Sequence, residues 1–150
     1  MAEIKDENAD RKVWMSLLAK SDATQLAALW GGVATPDHTM LRAPEIGGVM
    51  VRGRAGAVGA AFNLGEMTVT RCSVKLADGT VGHAYVQGRD KDQAHVAAMV
   101  DAMMQTDAAV GVDAEILTPL RDKMRAVKAT RAAKAAATKV DFFTMVRGED

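Results

Sequence analysis

With 150 residues, 49% of them apolar, and 19 basic side chains against 19 acidic ones, the chain is sized for one domain and has no net charge. That balance excludes a whole-chain electrostatic pull toward nucleic acid or an anionic membrane, and a lone cysteine, Cys72, excludes an intrachain disulfide framework. No apolar run reaches bilayer length and Met1-Ala2-Glu3-Ile4-Lys5 lacks a signal-peptide pattern, so the expectation is a single domain, residues 1–150, in the cytoplasm.

Residues 1–9 are charged and patternless, and read as a tail. From Asp10 a helix is expected, with Trp14, Leu17 and Leu18 on one stripe at i, i+3, i+4. Ser21 then reads as the N-cap of a second short helix carrying Leu26, Leu29 and Trp30 and closed by Gly31-Gly32. Residues 39–42 and 48–54 read as two short strands, separated by Pro44 and Gly47. In the second, Val49 and Val51 alternate with Met50, Arg52 and Arg54. The small-residue stretch 55–61 reads as a flexible or closely packed connection; it lacks the Gly-Lys-Ser/Thr ending of a phosphate loop.

Residues 62–64 return to extended structure, and Gly65 suggests a bend or bulge. Runs 67–76 and 80–87 flank Ala77-Asp78-Gly79, a strong hairpin signal because glycine takes a positive φ at no steric cost. Thr68, Thr70, Cys72, Val74 and Leu76 share one face of the first run; Gly82, Ala84 and Val86 form the small apolar set of the second. Asp90 with Gln93 reads as a capping box opening a helix at Lys91, whose stripe is Val96, Val100, Met103 and Met104. At this corner Gln87, Arg89, Asp90 and Lys91 surround a helix N-terminus, which can hold an anion or a partner's carboxylate. The plainer reading is that Gly88 and Asp90 only turn the chain.

Residues 107–113 read as a loop, and Thr118-Pro119 opens a long helix with Pro at its first turn. Residues 118–139 hold seven basic side chains and one acidic, leaving the rest with 12 basic and 18 acidic. Ala129, Ala133, Ala136 and Val140 form a small stripe on this helix. The ending Val140-Asp141-Phe142-Phe143-Thr144-Met145-Val146 has β-type composition with apolar residues on both faces. It is expected to insert against another chain; the alternative is that the helix folds back and the strand completes its own sheet. Together these elements make an α+β fold. An antiparallel sheet of about four to five strands carries an N-terminal helical hairpin, a helix after the central β-hairpin, and an arm (residues 118–148) of long helix and docking strand.

Catalytic signatures are missing. His38, His83 and His95 have no metal-ligand spacing, there is no Gly-x-Ser-x-Gly or His-Glu-x-x-His, and Cys72 reads as a core residue. A self-sufficient active site is not expected. The competing function is a nucleic-acid-binding module acting through the basic helix, which the overall neutrality and the lack of an aromatic stacking platform disfavour.

Several pieces nevertheless carry a family pattern: Arg11 with Trp14-Met15; Arg42-Ala43 followed by Glu45; Thr70-Arg71; Asp78-Gly79-Thr80; Val86-Gln87-Gly88-Arg89-Asp90-Lys91; Asp101-Ala102-Met103-Met104-Gln105; and Val140 to Gly148, the most specific. Together they resemble the G-subunit (PhnG) family of the bacterial carbon–phosphorus lyase, from about Arg11 to Gly148. Residues 1–10 and the Ala/Lys-rich helix carry no family pattern. The resemblance implies a place in a core complex with H, I and J subunits, with I as direct partner and L as functional partner. The family's G, H, I and L subunits are associated with displacing adenine from ATP by methylphosphonate, giving ribose 1-methylphosphonate 5-triphosphate. Base displacement is ascribed to I, and the radical cleavage to J with its iron–sulfur cluster. No catalytic residue carries over to this chain. No cofactor or metal is expected on it, and ATP is the substrate of the complex. Arg71, Gln87, Arg89, Asp90 and Lys91 are then the candidates for contacting substrate or a subunit interface, and Phe142, Phe143, Met145 and Val146 those for docking a partner.

Overall fold

In the computed structural model the described residues are 8–140. The expected terminal strand, with Phe142, Phe143, Met145 and Val146, lies outside them. The first helix, α1 (Ala9–Ala19), buries Leu17 and Leu18 and packs Trp14 against the core. The second, α2 (Ala23–Trp30), buries Leu26 completely. Its N-cap is Asp22, one residue later than expected: the Asp22 carboxylate accepts from Gln25 N–H at 2.9 Å. The Ser21 hydroxyl instead donates back to Leu18 O (2.8 Å), sealing the end of α1.

Three antiparallel strands, β1 (His38–Arg54), β2 (Ala61–Leu76) and β3 (Val81–Gln87), form one sheet in that order. The strands expected at 39–42 and 48–54 are one strand, and so are those expected at 62–64 and 67–76, so the described sheet has three strands rather than four or five. The breakers do not break it. Pro44 falls inside a register shift between Arg42 and Glu45, where an extra residue needs no ladder hydrogen bond. Gly65 pairs with Val51, and the register shifts immediately beyond it, Arg52 pairing with Asn63 and Leu64 left over, so the expected bulge is there without ending the strand. The alternation expected for β2 holds: Thr70, Cys72, Val74 and Leu76 are buried beneath the helices. Gly79 closes the β2–β3 turn at φ +93°, as its position in Asp-Gly requires.

Since β3 pairs only with residues 69–75 of β2, the outer halves of β1 and β2 continue alone as a two-stranded ribbon. No residue from 45 to 68 is buried. The ribbon ends in a tight turn (Ala55–Ala57) in which Gly56 and Ala57 both have positive φ.

Behind the sheet lies α3 (Lys91–Met103), buried along most of its length. Val100 and Met103 are core residues, as expected; Val96 and Met104 are only half-buried, and the face against the sheet is made by Ala94, Ala97, Ala98 and Ala102. Gly82 explains the alanines. A Cβ there would lie 2.0 Å from Ala98 O and 2.7 Å from Ala102 Cβ, so strand and helix backbones touch. The segment expected as a loop at 107–113 instead contains a short helix, α4 (Ala109–Val112), running through a π-helical turn into α5 (Thr118–Ala137). Val112, Ile116, Leu117 and Leu120, at helical spacing, seal the core there; each fully buried side chain contributes roughly 1.5–3 kcal/mol. Beyond Arg121, every described residue to Val140 is exposed. An α-helix rises 1.5 Å per residue, so α5, 20 residues long, extends about 30 Å.

Candidate functional site

Three places hold the conspicuous side chains, and family-pattern pieces make up the first two. The first is interior. Asp101, fully buried on α3, accepts from Arg11 Nε (3.1 Å) and Nη2 (2.7 Å), from Trp14 Nε1 (2.9 Å) and from His83 N–H (2.8 Å). The hydrogen bond to Asp101 is the main reason the Arg11 guanidinium pKa is raised, against burial. Gln105 donates to Val81 O at 2.9 Å, and Arg11 reaches the same carbonyl at 3.4 Å. This network joins α1, α3 and the outer edge of β3. Its donors and acceptors are matched to one another, so it positions elements rather than waiting for a ligand.

The second place is the sheet face turned away from the helices. Glu45 accepts from Arg42 (2.9 Å) and also pairs with Arg71. Arg71 hydrogen-bonds Tyr85, the leading cause of its raised pKa, with Glu45 second. Ser73 Oγ lies 2.8 Å from His83 Nδ1. Antiparallel register puts Tyr85 opposite Arg71 and Gln87 opposite Val69, so Arg71, Tyr85 and Gln87 share this face. Arg42, Glu45, Tyr85 and the Ser73–His83 pair were not singled out as site residues from sequence. The period-2 alternation that placed Arg71 here could have found them.

The corner at the start of α3 is part open and part closed. Gly88 turns it at φ +98°, and Thr70 Oγ1 donates to Gly88 O at 2.8 Å. Asp90 caps the helix as expected, accepting from Gln93 N–H at 2.8 Å. The expected return bond is not made: the Gln93 amide donates to Ser21 O (2.7 Å), tying α3 to the α1–α2 loop. Gln87, Arg89 and Lys91 are exposed beside the cap. The structure thus groups Gln87 with Arg71 on the open face, and spends Asp90 on the helix.

The third place is the pair of projections. On the ribbon Met50 is 54% exposed and Leu64 67%, with Ile46, Val49, Phe62 and Met67 also exposed. On α5 Val127 is 51% exposed, and Ala129, Ala133 and Ala136 are open; Val140, expected on the same stripe, lies past the end of the helix at Ala137 and is 66% exposed. An isolated two-stranded ribbon is marginal in water, and so large a contiguous apolar exposure marks a contact surface.

Little here could do covalent chemistry. Among the described residues, no group of three or more His, Cys, Asp or Glu is placed to hold a metal ion. Cys72 is buried and burial pushes its thiol pKa up, away from thiolate. A cleft of about 220 Å³ between α1 and β3, lined by Met15, Ser16, His83 and Tyr85, is below the 300–1,000 Å³ usual for small-molecule sites. No described helix is long and apolar enough to cross a membrane.

Comparison with known proteins bears on these surfaces. The family model described as phosphonate metabolism protein PhnG matches residues 9–148. A curated relative from Rhizobium meliloti (strain 1021), alpha-D-ribose 1-methylphosphonate 5-triphosphate synthase subunit PhnG, is 42% identical over 143 residues. That match covers 95% of this chain and 92% of the relative.

Proposed function

This chain belongs to the PhnG family of phosphonate metabolism proteins, and we propose that it acts as a non-catalytic or co-catalytic subunit of a ribose 1-methylphosphonate 5-triphosphate synthase. The complex transfers the ribose triphosphate part of ATP to an alkylphosphonate with release of adenine. Its partners are the H, I and J subunits of the carbon–phosphorus lyase core, with I in direct contact and L acting with it functionally. The chain binds no cofactor of its own and is inactive alone.

One observation carries this reading: two long projections, residues 45–68 of the ribbon and α5 beyond Arg121, bury no residue against their own chain. A finished monomer would cover that apolar area, whereas a subunit leaves it for neighbours. The open-face residues Arg71 and Gln87, with Arg89 and Lys91 beside the Asp90 cap, are assigned to subunit or substrate contact. Phe142, Phe143, Met145 and Val146 are assigned to docking. Neither comparison supports the nucleic-acid reading of the basic helix.

Reconstitution tests it. Adenine release from ATP and methylphosphonate is measured with the other synthase subunits, with and without this chain, and with the chain alone. Release only when chain and partners are combined is expected. Full activity without the chain, or activity of the chain by itself, overturns the proposal.

A further inference from the structure

The two edges of the sheet are treated differently. On β3 the outward peptide groups of its first half are closed by side chains: Asp101 takes His83 N–H at 2.8 Å, and Gln105 and Arg11 donate to Val81 O. Side chains spent in this way stop an edge from recruiting another strand. On β1 nothing comparable is found among the described residues. β1 pairs only with β2, and its outer side runs free.

Register identifies the free groups. Gly88 N–H donates to Thr68 O (3.0 Å), so even residues of β2 bond to β3 and odd ones to β1. Arg71, Val69, Met67 and Gly65 pair with Glu45, Gly47, Val49 and Val51. The peptide groups of Ile46, Gly48 and Met50 therefore turn outward, on a stretch with neither Pro nor Lys to block pairing. The charges of residues 46–54 are Arg52 and Arg54 alone, both positive.

We propose that this β1 edge, residues 46–52, is a strand-addition site, occupied by an extended, apolar, carboxylate-bearing segment of a different polypeptide in the complex. The inference rests on the subunit reading above. Main-chain hydrogen bonds to residues 46, 48 and 50 supply the pairing, and Arg52 and Arg54 select an acidic strand. A second copy of this chain is the poorer occupant. Antiparallel self-pairing about Gly48 sets Arg54 of each copy opposite Arg42 of the other, like charge against like, and the neighbouring Glu45 is already held by Arg42 and Arg71.

The test uses the full chain co-expressed with the other synthase subunits. Met50→Pro removes one outward N–H while leaving the β2 ladder intact; Met50→Ala removes only the side chain. Met50→Pro is expected to weaken incorporation about tenfold, the scale of one lost backbone hydrogen bond, and Met50→Ala much less. Hydrogen exchange of the wild-type chain, alone and in the complex, covers the case in which Met50→Pro does not fold. Protection is expected to rise most at the amides of 46, 48 and 50, with 47, 49 and 51 the slower set in the chain alone and gaining less. Equal incorporation of Met50→Pro, equal losses in both variants, protection without alternation, or the same protection in a homodimer or from residues 141–150 overturns the proposal. If the wild-type chain joins no other polypeptide, the subunit reading itself fails.

Discussion

Asp101→Asn perturbs the centre of the fold without changing its volume. The Asp101 carboxylate is wholly buried and accepts four hydrogen bonds, two from Arg11 and one each from Trp14 and the His83 backbone. Asparagine keeps one acceptor oxygen and turns an NH₂ toward a donor, so at least one buried N–H loses its partner and the guanidinium loses its countercharge. Breaking a buried pair from one side costs about 3–5 kcal/mol. The Arg11 side chain is 25% exposed and recovers some solvation, which favours the lower end, about 3 kcal/mol. That is a large share of a typical 5–15 kcal/mol total stability. Pulse proteolysis in urea on dilute chain reads the folded fraction where association through the projections is negligible. Arg11→Met combined with Asp101→Asn should cost clearly less than the sum of the two, because they share one interaction. A loss below about 1 kcal/mol for Asp101→Asn would show that the network is not what joins α1 to α3 and β3.

Other outcomes follow from single positions. Gly82→Ala places a Cβ 2.0 Å from Ala98 O and should destabilise by about 3 kcal/mol or more, read as loss of soluble chain on co-expression. Ala57→Gly relieves a non-glycine residue at φ +63° and should raise the urea midpoint by about 0.5–1 kcal/mol equivalent. Asp90→Ala removes the α3 cap and should cost about 1 kcal/mol in the same assay. His95, whose Nε2 is 2.9 Å from that of His38, has its pKa lowered by burial first and by His38 second, against Asp92. The unfolded chain then binds the proton more tightly. Stability is complete at neutral pH and falls as pH drops below about 6.5 toward the lowered folded value. His95→Gln should flatten that acid limb in a pH series of urea midpoints.

Much of this architecture is legible because the chemistry is local. Asp78-Gly79 and Gly88 each need a conformation that favours glycine, and the alternation from Thr70 to Leu76 has one buried face. The ribbon was harder to read. Pro44 and Gly47 look like terminators, and only the pairing register shows that a bulge absorbs the proline, that Gly47 sits in a ladder position, and that the irregularity signalled by Gly65 interrupts the register without ending the strand. The contact face of α3 was hidden for another reason: alanine carries little hydrophobic signal, and its value here comes from Gly82 on a different strand. Val112, Ile116, Leu117 and Leu120 did carry a helical spacing, obscured by Gly111 and the aspartates around it. Arg71 was recognised, but Glu45, 26 residues away, neutralises it, and such a pairing exists only in the fold.

The central claim is that the projections are completed by other polypeptides. Native mass measurement of the full chain, expressed alone and then with the other synthase subunits, tests it most directly. A heterogeneous, self-associating chain that becomes one component of a discrete assembly is the predicted result. A sharp, soluble monomer under both conditions, with no incorporation, would contradict it.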